Sequence, residues 1–136
     1  MKKFLTILLA CLLSFVALFT ASSCSKTEKR DIWYCYQVWS LSSGTLDVKE
    51  YPSLEISIEF FDDNTFLKLV TQDGKTSSFS GTYIINESTN GYSLYNSNGD
   101  PIGIASKSED GKTMQYSNLD VYSMQNEYYQ RGKVKK

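Results

Sequence analysis

Apolar and polar positions alternate along much of this chain with a period of two. Ile56, Ile58 and Phe60 alternate with Glu55, Ser57 and Glu59, which buries one face of an extended strand and wets the other. Phe79, Gly81, Tyr83 and Ile85 keep the same spacing, with Gly81 where a closing sheet must bend. Ile102 with Ile104, and Met114 with Tyr116, continue it. No ten-residue stripe follows the helical period. Turn chemistry separates the runs: Ser42-Ser43-Gly44, Asp62-Asp63-Asn64, Gln72-Asp73-Gly74-Lys75, Ser97-Asn98-Gly99-Asp100 and Glu109-Asp110-Gly111. The Asp-Gly and Asn-Gly steps supply the positive φ angles of tight hairpins. Eight strands are predicted, at 32–40, 54–61, 65–71, 77–85, 91–96, 101–107, 112–117 and 125–131. Ile56, Ile58, Phe60, Phe79, Tyr83, Ile102 and Ile104 are expected to be buried. Leu41 to Pro52, the longest connection, suits a lid or a short extra strand. Short strands joined by hairpins favour an all-β, antiparallel, up-and-down eight-stranded barrel, because closure leaves no exposed edge. A β-sandwich is the alternative.

The first 23 positions follow a different pattern. Lys2 and Lys3 precede a run from Phe4 to Phe19 that is apolar except for Thr6 and Ser14. As a helix it would span roughly 24 Å at ~1.5 Å per residue, short of the ~30 Å hydrocarbon core. A cleaved signal peptide over 1–23 fits better than a permanent span. Ala21-Ser22-Ser23-Cys24 then resembles the lipobox of bacterial lipoproteins, in which the cysteine thiol takes a diacylglycerol and becomes the new N-terminus. That resemblance implies acylation of Cys24, anchorage to a lipid bilayer in the bacterial cell envelope, a polar tether over 24–31 and a domain over 32–132. The alternative is an ordinary secreted protein cleaved near Ser23, with Cys24 a free thiol. Cys11 leaves with the signal, so an acylated Cys24 leaves Cys35 without a disulfide partner. Cys35 reads as a small buried hydrophobe.

Beyond Cys24 the composition supports strands. Tyr, Thr, Ile and Val dominate, and Ala105 is the single alanine. The absence of histidine excludes a His-based triad, a His-ligated zinc site and an imidazole base. A net charge of −1 without a basic run argues against nucleic acid as a partner. Among the carboxylates, Glu55 and Glu59 lie on a polar strand face, while Asp62, Asp63, Asp100 and Asp110 fall in turns. No spacing matches a calcium loop, a phosphate loop or a glycosidase pair. No enzymatic activity, catalytic residue, cofactor or metal is therefore expected.

The order of motifs carries a further resemblance. Asp31-Ile32-Trp33-Tyr34 opens the first strand, and Ile58-Glu59-Phe60-Phe61-Asp62-Asp63-Asn64-Thr65-Phe66 forms a strand-turn-strand unit. Ser80-Gly81-Thr82-Tyr83-Ile84-Ile85 follows, and Glu127-Tyr128-Tyr129-Gln130-Arg131 closes the chain. This order is similar to the small lipocalin-like lipoproteins of Bacteroidetes-type bacteria, over roughly residues 31–133. The resemblance implies that Trp33 plugs one barrel end with Arg131 lying across its ring. A solvated Arg131 beside a core Trp33 is the plainer alternative.

If Trp33 points inward, uninterrupted alternation carries Cys35, Gln37 and Trp39 to the same side, and a bulge would reverse this. Gln37, Trp39, Tyr83 and Tyr116 are thus the candidates to contact a small apolar or amphipathic ligand. Trp39 is expected at the open mouth and the tyrosines deeper. Competing expectations are a side-chain-filled barrel serving as a subunit of a surface complex, and a protease-inhibitor-like module. The tail from Gly132 to Lys136, with three lysines, is expected to fray.

Overall fold

The computed structural model describes residues 31–120 and 124–136. The signal segment, Cys24 and the tether up to residue 30 lie outside the described residues. Nine strands are present among those described: β1 (Asp31–Ser40), β2 (Gly44–Asp47), β3 (Leu54–Phe60), β4 (Thr65–Gln72), β5 (Lys75–Asn86), β6 (Gly91–Tyr95), β7 (Pro101–Lys107), β8 (Thr113–Asn118) and β9 (Gln125–Gln130). All neighbours are antiparallel, in the order β2-β1-β3-β4-β5-β6-β7-β8-β9, and β1 also pairs β9. The sheet therefore closes into an eight-stranded up-and-down barrel, with β2 as one added strand, and the sandwich alternative is excluded. Asp73 and Gly74 both adopt positive φ between Gln72 and its partner Lys75, the geometry that the Asp-Gly step supplies to a two-residue hairpin.

Two irregularities set which side chains face inward. Cys35 pairs Tyr129 and Gln37 pairs Tyr128, so Tyr36 is an extra residue in β1. Directly paired residues share a face, and Tyr128 alternates with the buried Glu127 and Tyr129. Beyond the bulge Val38 therefore faces the core, and Gln37 and Trp39 turn outward. Leu94 pairs Gly103 and Tyr95 pairs Pro101, so Ile102 is likewise extra. Gly103 and Ala105 then take the inner face of β7, and Ile104 stands opposite Ser93 and Ser117 on the outer one.

The core gathers Trp33, Cys35, Val48, Ile56, Ile58, Phe60, Phe66, Tyr83, Tyr92, Leu94, Ala105, Met114 and Tyr129. Four expected members are there: Ile56, Ile58, Phe60 and Tyr83. Ile102 packs against them half-buried. Two expectations are corrected. Ile104 is half-buried on the outer face because of the β7 bulge. Phe79 has inner-face parity opposite Lys68, yet it is 58% exposed, because the barrel is open beside it.

The 41–52 connection forms β2 and a single 3-10 turn at Val48–Glu50, which drives Val48 into the core. The C-terminal tail is also corrected: it lies along the barrel. Lys133 pairs with Glu55 at 3.6 Å, and Lys136 Nζ donates to the carbonyls of Tyr51, Pro52 and Leu54.

Candidate functional site

The alternating strand directions give the barrel two unlike ends. The start of β1, the turn after β3 and the start of the tail meet at one end, which is closed by rings. The Arg131 guanidinium carbon lies 3.8 Å from the centroid of the Trp33 ring, and Trp33 is fully buried. A guanidinium over an indole contributes about 0.5–2 kcal/mol, depending on desolvation. Arg131 also pairs with Asp31 and donates from Nε to the Gly111 carbonyl at 3.2 Å. The second oxygen of Asp31 accepts from Tyr92 Oη at 3.0 Å, and Lys107 Nζ donates to Tyr92 Oη at 2.8 Å. Burial pulls the Lys107 ammonium below its ordinary range and pushes the Tyr92 phenol up. Phe60 stacks on Tyr92 at 4.2 Å and meets Tyr83 edge-on at 5.2 Å. Tyr83 donates its hydroxyl to the Phe61 carbonyl at 2.7 Å. Inside the plug, Trp33 Nε1 is buried and finds no hydrogen-bond partner among the described residues, which costs roughly 1–3 kcal/mol.

Toward the other end the interior is hollow. A cavity of about 360 Å³ is lined by Ile58, Phe66, Lys68, Phe79, Leu94, Ile102, Tyr116, Asn118 and Asp120. Lys68 is held inward because β4 alternates Phe66, Lys68 and Val70 opposite Phe60, Ile58 and Ile56. Across the barrel, Glu127 enters from β9 between outward-facing Asn126 and Tyr128, with a side chain only 3% exposed. Lys68 Nζ donates to both Glu127 oxygens, at 2.5 and 2.7 Å. Gln125 Nε2 and Tyr129 Oη donate to the same carboxylate at 2.9 and 2.5 Å. The buried charge leaves its mark on its neighbours. Burial first, and the Glu127 charge second, push both the Cys35 thiol and the Tyr116 phenol up to about 12. The same two causes hold the Tyr129 phenol well above its ordinary range. Cys35 Sγ donates to the Gln37 carbonyl at 3.2 Å. It is a packed, protonated thiol.

The structure thus separates the residues singled out from sequence. Trp33 and Arg131 meet at the plug. Tyr116 lines the cavity, with its hydroxyl 3.3 Å from the Ile102 carbonyl. Tyr83 belongs to the plug, because its hydroxyl and ring are both engaged there. Gln37 and Trp39 face away from the interior, because of the Tyr36 bulge. Lys68 and Glu127 are interior groups that are not among the residues singled out from sequence. Their sequence signal is a lysine set inside the run Phe66-Leu67-Lys68-Leu69-Val70, in step with the core-facing positions.

No family model, curated protein or solved structure matches this chain.

Proposed function

We propose that this chain is a membrane-anchored, extracytoplasmic lipoprotein of lipocalin-like type whose barrel binds one small apolar or amphipathic molecule without chemically transforming it. The cavity carries this reading. Its ~360 Å³ lies within the few-hundred-Å³ range of small-molecule sites, and its wall is mostly apolar with a few polar groups, as such sites are built. A barrel packed with its own side chains would suit a purely structural subunit, whereas this one leaves Phe79 on the inner face largely exposed. The apolar N-terminal run ending in Ala21-Ser22-Ser23-Cys24 supports the anchor and a place in the bacterial cell envelope, facing the periplasm or the outer surface.

Each barrel strand already has two neighbours within residues 31–130, so a chain begun at Ser25 contains the whole barrel. Nile red titrated into that chain is expected to saturate at one equivalent with blue-shifted emission. Ile102→Trp, which fills the cavity, is expected to abolish the signal while unfolding remains cooperative. Unsaturable emission, or undiminished binding by the Ile102→Trp variant, would overturn the binding reading. Mass spectrometry of membrane-extracted protein tests the anchor separately. An acylated N-terminal Cys24 is expected, and an unmodified N-terminus elsewhere would end that claim.

A further inference from the structure

At the Lys68–Glu127 pair the cavity offers a donor, and the carboxylate has no acceptor site to spare. A carboxylate presents about four acceptor sites. Glu127 has them filled, by Lys68 on both oxygens, Gln125 on one and Tyr129 on the other. An ammonium carries three N–H donors. Two of those on Lys68 go to Glu127, and among the described residues Lys68 has no other hydrogen-bond acceptor. The Tyr116 ring, 5.4 Å from Nζ, forms the adjoining wall. A ligand that reaches Lys68 must therefore bring an acceptor of its own.

Charge decides which kind of acceptor. Among the described residues on the cavity wall, Lys68 is the one ammonium, and the Glu127 carboxylate already neutralises it. A bound anion would leave water, share a lysine already committed to Glu127, and bring a second negative charge against a single ammonium. Losing hydration costs an ion several kcal/mol unless it is fully paired. A neutral carbonyl oxygen takes the remaining N–H without that penalty.

Building on the binding reading above, we infer that the cavity selects a neutral amphipathic molecule whose apolar body carries an ester, lactone or ketone oxygen seated on Lys68 Nζ, and that it rejects the matching carboxylate.

Three probes of similar size separate the possibilities when each competes with Nile red at pH 7: methyl benzoate, benzoate and propylbenzene. Methyl benzoate is expected to displace the dye at a concentration at least tenfold lower than either of the others, the scale of one hydrogen bond from a charged donor. Lys68→Met alone strands the Glu127 carboxylate in the barrel and can unfold it. The decisive variant is therefore Lys68→Met combined with Glu127→Leu, which removes both charges together. In that variant methyl benzoate is expected to lose its advantage over propylbenzene. Benzoate matching or exceeding methyl benzoate would overturn the selectivity and leave the binding reading standing. So would an ester preference that survives the double substitution. Failure of all three probes to displace the dye, in a chain that also fails to saturate with it, would overturn both readings.

Discussion

Asp31 stands two residues before Trp33, and it makes the plug an ionic as well as an aromatic closure. It holds Arg131 over the indole and accepts from Tyr92 on its other oxygen. The Arg131 side chain is 48% exposed, so its ion pair contributes little and the stacked face carries most of the effect. Arg131→Ala is expected to lower stability in urea unfolding by about 1 kcal/mol. Arg131→Lys should recover only part of this, because an ammonium keeps the charge and loses the planar contact. Deeper in the barrel, Cys35 and Tyr116 both have folded pKa values of about 12, raised from 9.0 and 10.0. A raised folded value means that the folded state prefers the protonated group. Their contribution is fully present below pH 9 and is lost as the pH climbs toward 12. The urea midpoint should hold steady up to about pH 9 and then fall, with a shallower fall in Cys35→Ala. A Cys35→Ala profile identical to that of the parent would count against the thiol's share. At this scale the plug was legible in the order of motifs, since Trp33 and Arg131 meet as expected. The Lys68–Glu127 pair was not, because a lone lysine in an apolar run reads as an outward residue until its strand's register is known.

The strands themselves were legible nearly to their ends. The periodicity over 54–61 and 101–107 corresponds to β3 and β7, and turn residues marked the hairpins between strands. What alternation could not convey was where it breaks. A single extra residue reverses every position beyond it. The bulges at Tyr36 and Ile102 therefore turned Gln37, Trp39 and Ile104 outward, with no local mark in composition. β2 escaped notice as a definite strand because four residues are too few to show a period. The sequence reads Gly81 as a bend, and the structure shows a different need for glycine there, the close approach of a neighbouring strand. A Cβ there would collide with the backbone carbonyl of Tyr95 and crowd the Phe66 ring. Since a backbone atom cannot swing aside, Gly81→Ala is expected to cost about 3 kcal/mol, the upper end for overpacking. For Gly103→Ala the three nearest atoms all belong to the side chain of Tyr116, which can tilt into the open cavity. That variant should keep more of its stability and lose dye binding. Equal destabilisation by the two substitutions, measured by thermal unfolding, would contradict this account of the sheet.

For the molecule as a whole, direction along β1 ties the plug to the proposed anchor. β1 begins at Asp31 beside the plug and runs toward the open end, where Ser40 pairs Gln125. A tether from Cys24 joins the barrel at the plugged end, and seven extended residues reach at most about 25 Å. An acylated chain would then stand on the bilayer with its plug inward and its cavity mouth toward the aqueous side, able to exchange ligand with solvent. The hairpin turns offer reporters at both ends. The turn between β7 and β8 lies at the plugged end, where Gly111 receives Arg131. The turn between β6 and β7 lies at the mouth, beside Ile102. Lys112 is well exposed, as is Asn98, and buried Cys35 will not compete for a thiol-directed dye. With the acylated protein on vesicles containing an acceptor-labelled lipid, a donor on Lys112→Cys is expected to transfer more energy than one on Asn98→Cys. The opposite order would mean that the mouth faces the bilayer, so that ligand would pass directly between membrane and barrel. Equal transfer from both sites would mean that the tether lets the barrel tumble freely and imposes no orientation.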